Sequence, residues 1–183
     1  RFRAHMLLDE TAIAACMAYV DLNPIRAGIA ATPETSDFTS VKERIEDRAA
    51  AAEVSTADTQ DVRIEHGQKA GWLAPIALDP PRKKVREKIT TRRASNKGCL
   101  LMTLDQYLKL LDWTGRQIRK DKVGAIPREC APILERLDCS AETWVDFVRN
   151  FRKRFRGEAG LAPSRQAFRT TRRESRALGK VAS

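Results

Sequence analysis

Histidine and tyrosine are scarce in this chain, with two of each among 183 residues. His5 and His66 lie far apart in the sequence, so there is no His-hydrophobic-His metal pair, and each reads as a surface histidine rather than a ligand. The four cysteines, Cys16, Cys99, Cys130 and Cys139, form no Cys-x-x-Cys pair. That suggests neither a zinc finger nor a disulfide framework, and it leaves reduced thiols in the cytoplasm as the expectation. No apolar run reaches the roughly 18 residues a membrane span needs. The basic start also lacks the cleavage site and long apolar core of a signal peptide, so no membrane partner is expected. The chain opens on Arg1-Phe2-Arg3 without a methionine and reads as the continuation of something longer.

What the chain has in quantity is positive charge. Its 34 Lys and Arg against 24 Asp and Glu give +10 at pH 7 and a pI near 9.8, which favours a polyanion such as nucleic acid as partner. The charge is concentrated in two tracts. Arg82 to Lys97 holds eight basic residues against Glu87 alone, with no aromatic to stack a base. From Arg149 onward eleven basic residues face only Glu158 and Glu174. In this second tract Arg165, Arg169, Arg172, Arg173 and Arg176 recur at helical spacing after Pro163-Ser164, an arginine-rich face suited to a phosphate backbone. Hydrophobic content of 42% with 32% charged residues allows a core, though one that leaves part of the chain outside.

Along the chain, a helix is expected over 9–22, capped by Asp9, with Ile13, Met17 and Val20 as its core stripe. Tyr19 falls on the shoulder of that stripe, beside Ala12, Ala15 and Cys16. Asn23-Pro24 reads as an N-cap and first helical position, and Gly28 as the stop of a single turn. A second helix is expected from Ser40, opened by a Ser40-to-Glu43 capping box, to about Ala52. Periodicity then fades until Thr103-Leu104-Asp105-Gln106, another capping box, which opens a helix with Leu104, Tyr107, Leu108, Leu111, Thr114 and Ile118 inward. A short helix follows from Pro132, burying Ile133, Leu134 and Leu137. Ser140 opens a longer one whose inner side is Trp144, Phe147, Val148, Phe151 and Phe155. These last helices make a module of about 50 residues, marginal alone, which docking or a homodimer would help. Any strand is expected to be short and within Phe2 to Leu8.

The stretch Tyr19-Val20-Asp21-Leu22-Asn23-Pro24-Ile25-Arg26-Ala27-Gly28 resembles the Tyr-Ile-x-Leu-Asn-Pro-Val-Arg-Ala-Gly signature of single-tyrosine HUH-class transposases, in particular the REP-associated and IS200-like groups. The flanking Leu7-Leu8-Asp9-Glu10, Ala15-Cys16-Met17-Ala18, Thr32-Pro33-Glu34 and Thr39-Ser40 fit the same resemblance. A second block, Tyr107 to Arg116, looks like the C-terminal extension of one subgroup.

The resemblance implies that Tyr19 is the nucleophile that cuts single-stranded or hairpin DNA, forming a 5′-phosphotyrosine; Arg26 in the same stretch reads either as a phosphate contact or as a solvated turn residue. It also implies a Mg or Mn ion for the full-length enzyme, held by a histidine pair that this chain does not contain, so no metal ligand is assigned here and the chain alone is expected to be inactive unless an N-terminal piece complements it. A tyrosine of ordinary pKa near 10 is a poor nucleophile without such help.

The fold expected is mainly α. Residues 1–52 would be a helical remnant of a ferredoxin-like α+β transposase domain, 53–99 a basic linker, 100–157 a helical module and 158–183 an arginine-rich tail. The competing expectation is a non-catalytic helical DNA-binding module that works through Arg165, Arg169, Arg172, Arg173 and Arg176. A third is a degraded mobile-element product with no retained activity.

Overall fold

The structure, a computed structural model, describes residues 4–56, 73–78, 98–118 and 127–181. The elements in order are β1 (Met6–Leu7), α1 (Glu10–Asp21), α2 (Asn23–Arg26), a 3₁₀ turn (Pro33–Thr35), α3 (Ser40–Thr56), α4 (Leu104–Ile118), α5 (Ala131–Arg136), α6 (Ala141–Arg154), β2 (Glu158–Ala159) and α7 (Ala162–Val181). The chain is mainly α, as expected. Among the described residues one small sheet pairs β1 with β2 in parallel, Met6 opposite Glu158 and Leu7 opposite Ala159. The expected short N-terminal strand is therefore present, and its partner comes from the far end of the chain. The basic tract Arg82 to Lys97, Trp72 and His66 lie outside the described residues. Among the described residues no helix is long and apolar enough to cross a membrane.

Helix α1 begins as expected, with Asp9 in extended conformation accepting a hydrogen bond from the Ala12 amide at 2.8 Å. Its buried face differs from expectation. Ala12, Ala14, Ala15 and Ala18 are fully buried, whereas Ile13 and Met17 are half-buried and Val20 is 55% exposed. The cause lies in the partner. α1 makes its most extensive helix contact with α6, whose inner face is filled by Trp144, Phe147 and Phe151, so the surface opposite must be built of small side chains. Counting only large apolar residues selects the wrong face here.

The turn after α1 also differs from expectation. Asn23 is not a side-chain cap. Leu22, at φ −88° and ψ 0°, serves as C-cap of α1 and N-cap of α2, so the chain passes from one helix to the next without the extended residue a side-chain cap requires. The break comes from Pro24, which has no amide to offer the Val20 carbonyl. Gly28 ends α2 as expected. At φ +70° it donates to the Ile25 carbonyl at 3.2 Å while Ile29 donates to Pro24 at 2.9 Å, the paired bonds of a left-handed helix stop.

At the start of α3 the expected Ser40 cap is replaced by two other groups. Thr39 Oγ1 accepts from the Lys42 amide at 3.4 Å, and the Asp21 carboxylate accepts from the Ser40 hydroxyl at 2.9 Å and the Val41 amide at 3.3 Å. The later helices follow expectation. Thr103 and Gln106 exchange both bonds of a capping box. Ser140 caps α6 by accepting from Thr143 N at 3.2 Å. Ile133, Leu134, Leu137, Trp144, Phe147, Val148, Phe151 and Phe155 are all buried. The Trp144 indole donates to Thr114 Oγ1 at 2.8 Å, giving its polar edge a partner inside the core. The buried residues of α1, α4, α5 and α6 form one cluster, so the small C-terminal module is covered by the helix that carries Tyr19.

Candidate functional site

Tyr19 sits in the last turn of α1, half-buried. One face of its ring lies against Phe151 of α6, centroids 5.7 Å apart and planes tilted by 32°. The Arg26 guanidinium from α2 lies 4.6 Å from its centroid. Arg26 is itself held by a 2.9 Å bond from Nη2 to the Arg149 carbonyl. The tyrosine ring thus has both an aromatic and a cation packed against it, contacts that fix its position. No described residue hydrogen-bonds the Tyr19 hydroxyl. Sequence reasoning placed Tyr19 on a shoulder beside Ala12, Ala15 and Cys16; it did not foresee Phe151 as the supporting ring. The available signal was the aromatic stripe of α6, which needed a small-residue surface to face it.

His5 packs edge-on to the same Phe151 ring at 6.1 Å, and its Nδ1 is buried without a hydrogen-bond partner among the described residues. It is half-buried, not the surface histidine expected. Burial raises the thiol pKa of Cys16, Cys99 and Cys130 and pushes that of Cys139 up to about 12, so none of the four is poised as a thiolate nucleophile at neutral pH.

The divalent ion that the resemblance implies finds no fitting ligand set in the described residues. Among the described residues no three His, Cys, Asp or Glu side chains gather to hold one. The two carboxylates at the ends of α1 are already occupied: Asp9 with the amides of Ala12 and Leu161, and Asp21 with Ser40, Val41 and Tyr107. No step is therefore assigned to a metal held by these residues.

The arginines expected to contact DNA divide into two sets. Arg165 lies over the Phe155 ring at 5.8 Å with its Nε buried, and Arg169 pairs with Glu158, so these two fasten the start of α7 to the body of the protein. Arg172 and Arg173 are exposed, with no partner among the described residues, and Arg176 is carried on the same helix. A groove of about 420 Å³ along α7 is lined by Arg165, Arg169 and Arg173 with Gln166 and Thr170. Tyr19 and Arg26 share one contact, and Arg26 is separate from the α7 set.

A larger groove, about 660 Å³, lies between α2, the 3₁₀ turn, α3 and α4. Its floor is Leu22, Ile25, Ile45, Leu108 and Leu111, and ion pairs Arg48–Asp105 and Arg116–Asp112 stand at its rim. Tyr19 does not line it. Tyr19 packs beside α6, whereas the groove borders the residues that follow it. No family model matches this chain, and neither a curated protein nor a solved structure matches it.

Proposed function

We propose that this is a transposase-like protein in which Tyr19 cuts and rejoins single-stranded DNA. The observation that carries the reading is the Tyr19-to-Gly28 signature. Its support is the setting of Tyr19, with its ring gripped by Phe151 and Arg26 and its hydroxyl engaged by no described residue. In the reaction the phenolic oxygen attacks phosphorus in line. A phosphotyrosine bond forms to the 5′ side, the bond to the 3′ oxygen breaks, and that oxygen leaves with the proton as a hydroxyl. Arg26, whose guanidinium lies over the tyrosine ring, would offer positive charge to the phosphate as the bond changes. Because the phosphodiester energy is kept in the covalent link, the reverse attack by a 3′ hydroxyl rejoins the strand. The protein's helical N-terminal half would be the part of a larger α+β catalytic unit that carries the nucleophile.

The test is incubation of the chain, together with an N-terminal piece that carries a histidine pair, with hairpin-bearing single-stranded DNA and Mn²⁺, followed by denaturing electrophoresis and peptide mapping. A DNA-linked peptide containing Tyr19, absent from Tyr19→Phe, is the expected result. An adduct that persists in Tyr19→Phe overturns the assignment.

A second reading, a non-catalytic DNA-binding module, is favoured by the exposed Arg172 and Arg173 on α7. Truncation after Arg156 would also remove β2, the partner of β1, so substitution is the cleaner probe. If α7 grips phosphates, Arg172→Ala with Arg173→Ala weakens DNA binding and lowers the slope of log K against log salt by about 0.7 per lost contact on single strands.

A further inference from the structure

We infer that Asp21 and Tyr107 are positioning residues for Tyr19, and that the Tyr107-to-Arg116 block serves to hold the end of the helix that carries it. The activity readout of this inference rests on the transferase reading; its structural readout does not. Tyr19 lies in the last turn of α1, where a helix runs out of internal hydrogen bonds and ordinarily frays. Pro24 removes one further donor from that end. Two residues beyond Tyr19, Asp21 is 1% exposed, and its carboxylate is tied to two other helices. Oδ1 accepts from the Ser40 hydroxyl and the Val41 amide at the start of α3, and Oδ2 accepts at 2.7 Å from the hydroxyl of Tyr107 on α4. The next residue is gripped by the same helix. Leu22 is 1% exposed, and a β-carbon added at Gly115 would stand 3.3 Å from its Cδ2, so α4 packs against it more closely than a side chain at 115 would comfortably allow. Tyr107 and Gly115 thus meet two consecutive residues of the signature.

An apolar pair would pack this junction at no electrostatic cost, since a buried charged contact is commonly no more stable than a hydrophobic one of the same volume. What the carboxylate adds is direction. Three donors at fixed angles set the rotation of the last turn of α1, and with it the bearing of the Tyr19 ring toward Phe151 and Arg26. Tyr107, the other tyrosine of the chain, is wholly enclosed and donates its proton to Asp21; it is not a second nucleophile.

The experiment uses the whole chain with 3-fluorotyrosine in place of tyrosine, so that its two tyrosines give two ¹⁹F resonances. Tyr107→Phe leaves Tyr19 as the sole signal. The expected result is that the Tyr19 resonance shifts and broadens in both Tyr107→Phe and Asp21→Asn. In the adduct assay with hairpin DNA, the saturating rate falls about tenfold or more while half-saturation holds, as expected for a small misplacement of a reacting group. A Tyr19 resonance unchanged in both variants, whatever happens to the melting temperature, overturns the inference. Should either variant fail to fold, Ser40→Ala, which deletes one donor at the partly exposed edge, must move the Tyr19 resonance in the same direction by less, and no movement counts against the idea. If the wild-type chain forms no adduct, the transferase reading is what fails, and the resonances still decide whether Asp21 and Tyr107 position Tyr19.

Discussion

At its N-terminal end α1 is held by Asp9, whose two oxygens accept from the Ala12 amide at 2.8 Å and the Leu161 amide at 2.7 Å. At its C-terminal end it is held by Asp21, whose oxygens accept from Ser40, Val41 and Tyr107. The two carboxylates do similar work, each joining α1 to the start of another helix, α7 in one case and α3 in the other. Their physical situations differ. Asp9 lies where the α1 dipole presents positive charge and welcomes an anion, while Asp21 lies where the α1 dipole presents negative charge, with no basic residue in that last turn, and finds its offset outside the helix, at the N-terminal end of α3 and in the charge of Arg44. Burial adds to the cost at Asp21. A carboxylate kept at the unfavourable end has to be justified by its partners, and those partners lead to Tyr107 and to the signature turn.

The sharpest way to break the comparison is to delete each side chain. Asp21→Ala strands a buried tyrosine hydroxyl, a serine hydroxyl and an amide, and the expected loss is about 3 kcal/mol of unfolding free energy. Asp9→Ala leaves its two amides nearer solvent and should cost only about 1–2 kcal/mol, the range of a lost N-cap. Urea titration of both variants against the wild type measures the difference. Equal losses would mean that burial at Asp21 adds nothing and that the two ends are equivalent.

The same contrast explains what could be read from the sequence. Asp9, Ser140 and the Thr103–Gln106 box were legible because a local cap is written in residues three or four apart. The aromatic face of α6 was legible for the same reason, by helical period. The alanine face of α1 was not, because close packing against α6 is decided by a partner more than a hundred residues away. The true cap of α3 was not legible either, since its acceptor lies on α1 and not within the helix. Asp21 did leave a signal. An acid in the last turn of a helix opposes the dipole, and a tyrosine on the buried stripe of α4 needs an acceptor for its hydroxyl. Each residue lacked a local explanation, and together they explain one another. The site itself was half legible: Tyr19 and Arg26 stand in one signature, but Phe151, which supports the tyrosine ring, could come only from the fold.

A smaller effect is expected just past the C-terminal end, at Gly28. Its φ of +70° suits glycine, and an added β-carbon would meet nothing within 4 Å, so the cost of Gly28→Ala is backbone strain alone, about 1 kcal/mol. Gly28→Asn should recover part of it, because asparagine tolerates the left-handed region better than alanine does. A loss from alanine much above this would show that the stop of α2 also sets the Asp21 junction, and would tie the turn to the buried network.

The smallest effect, and the one specific to the Asp21 end, is in pH. Burial raises the Asp21 pKa, while the bonds from Tyr107, Ser40 and Val41 and the nearby positive charge of Arg44 pull it back down. Since the folded value lies above the unfolded one, Asp21 adds most to stability when it is protonated, below its ordinary pKa of about 3.9. That contribution is lost as pH rises through the raised folded value. Asp21→Asn has no proton to lose at this site. The unfolding free energy of the wild type minus that of Asp21→Asn should therefore fall as pH climbs from about 4 through the raised value, and then level off. Because the hydrogen bonds and Arg44 oppose the burial cost, the fall should be shallow, well below the loss in Asp21→Ala. A difference that rises with pH would mean that the donors outweigh burial and that the charged carboxylate is the stable form in the folded protein. The end of α1 would then be held by charge as much as by direction.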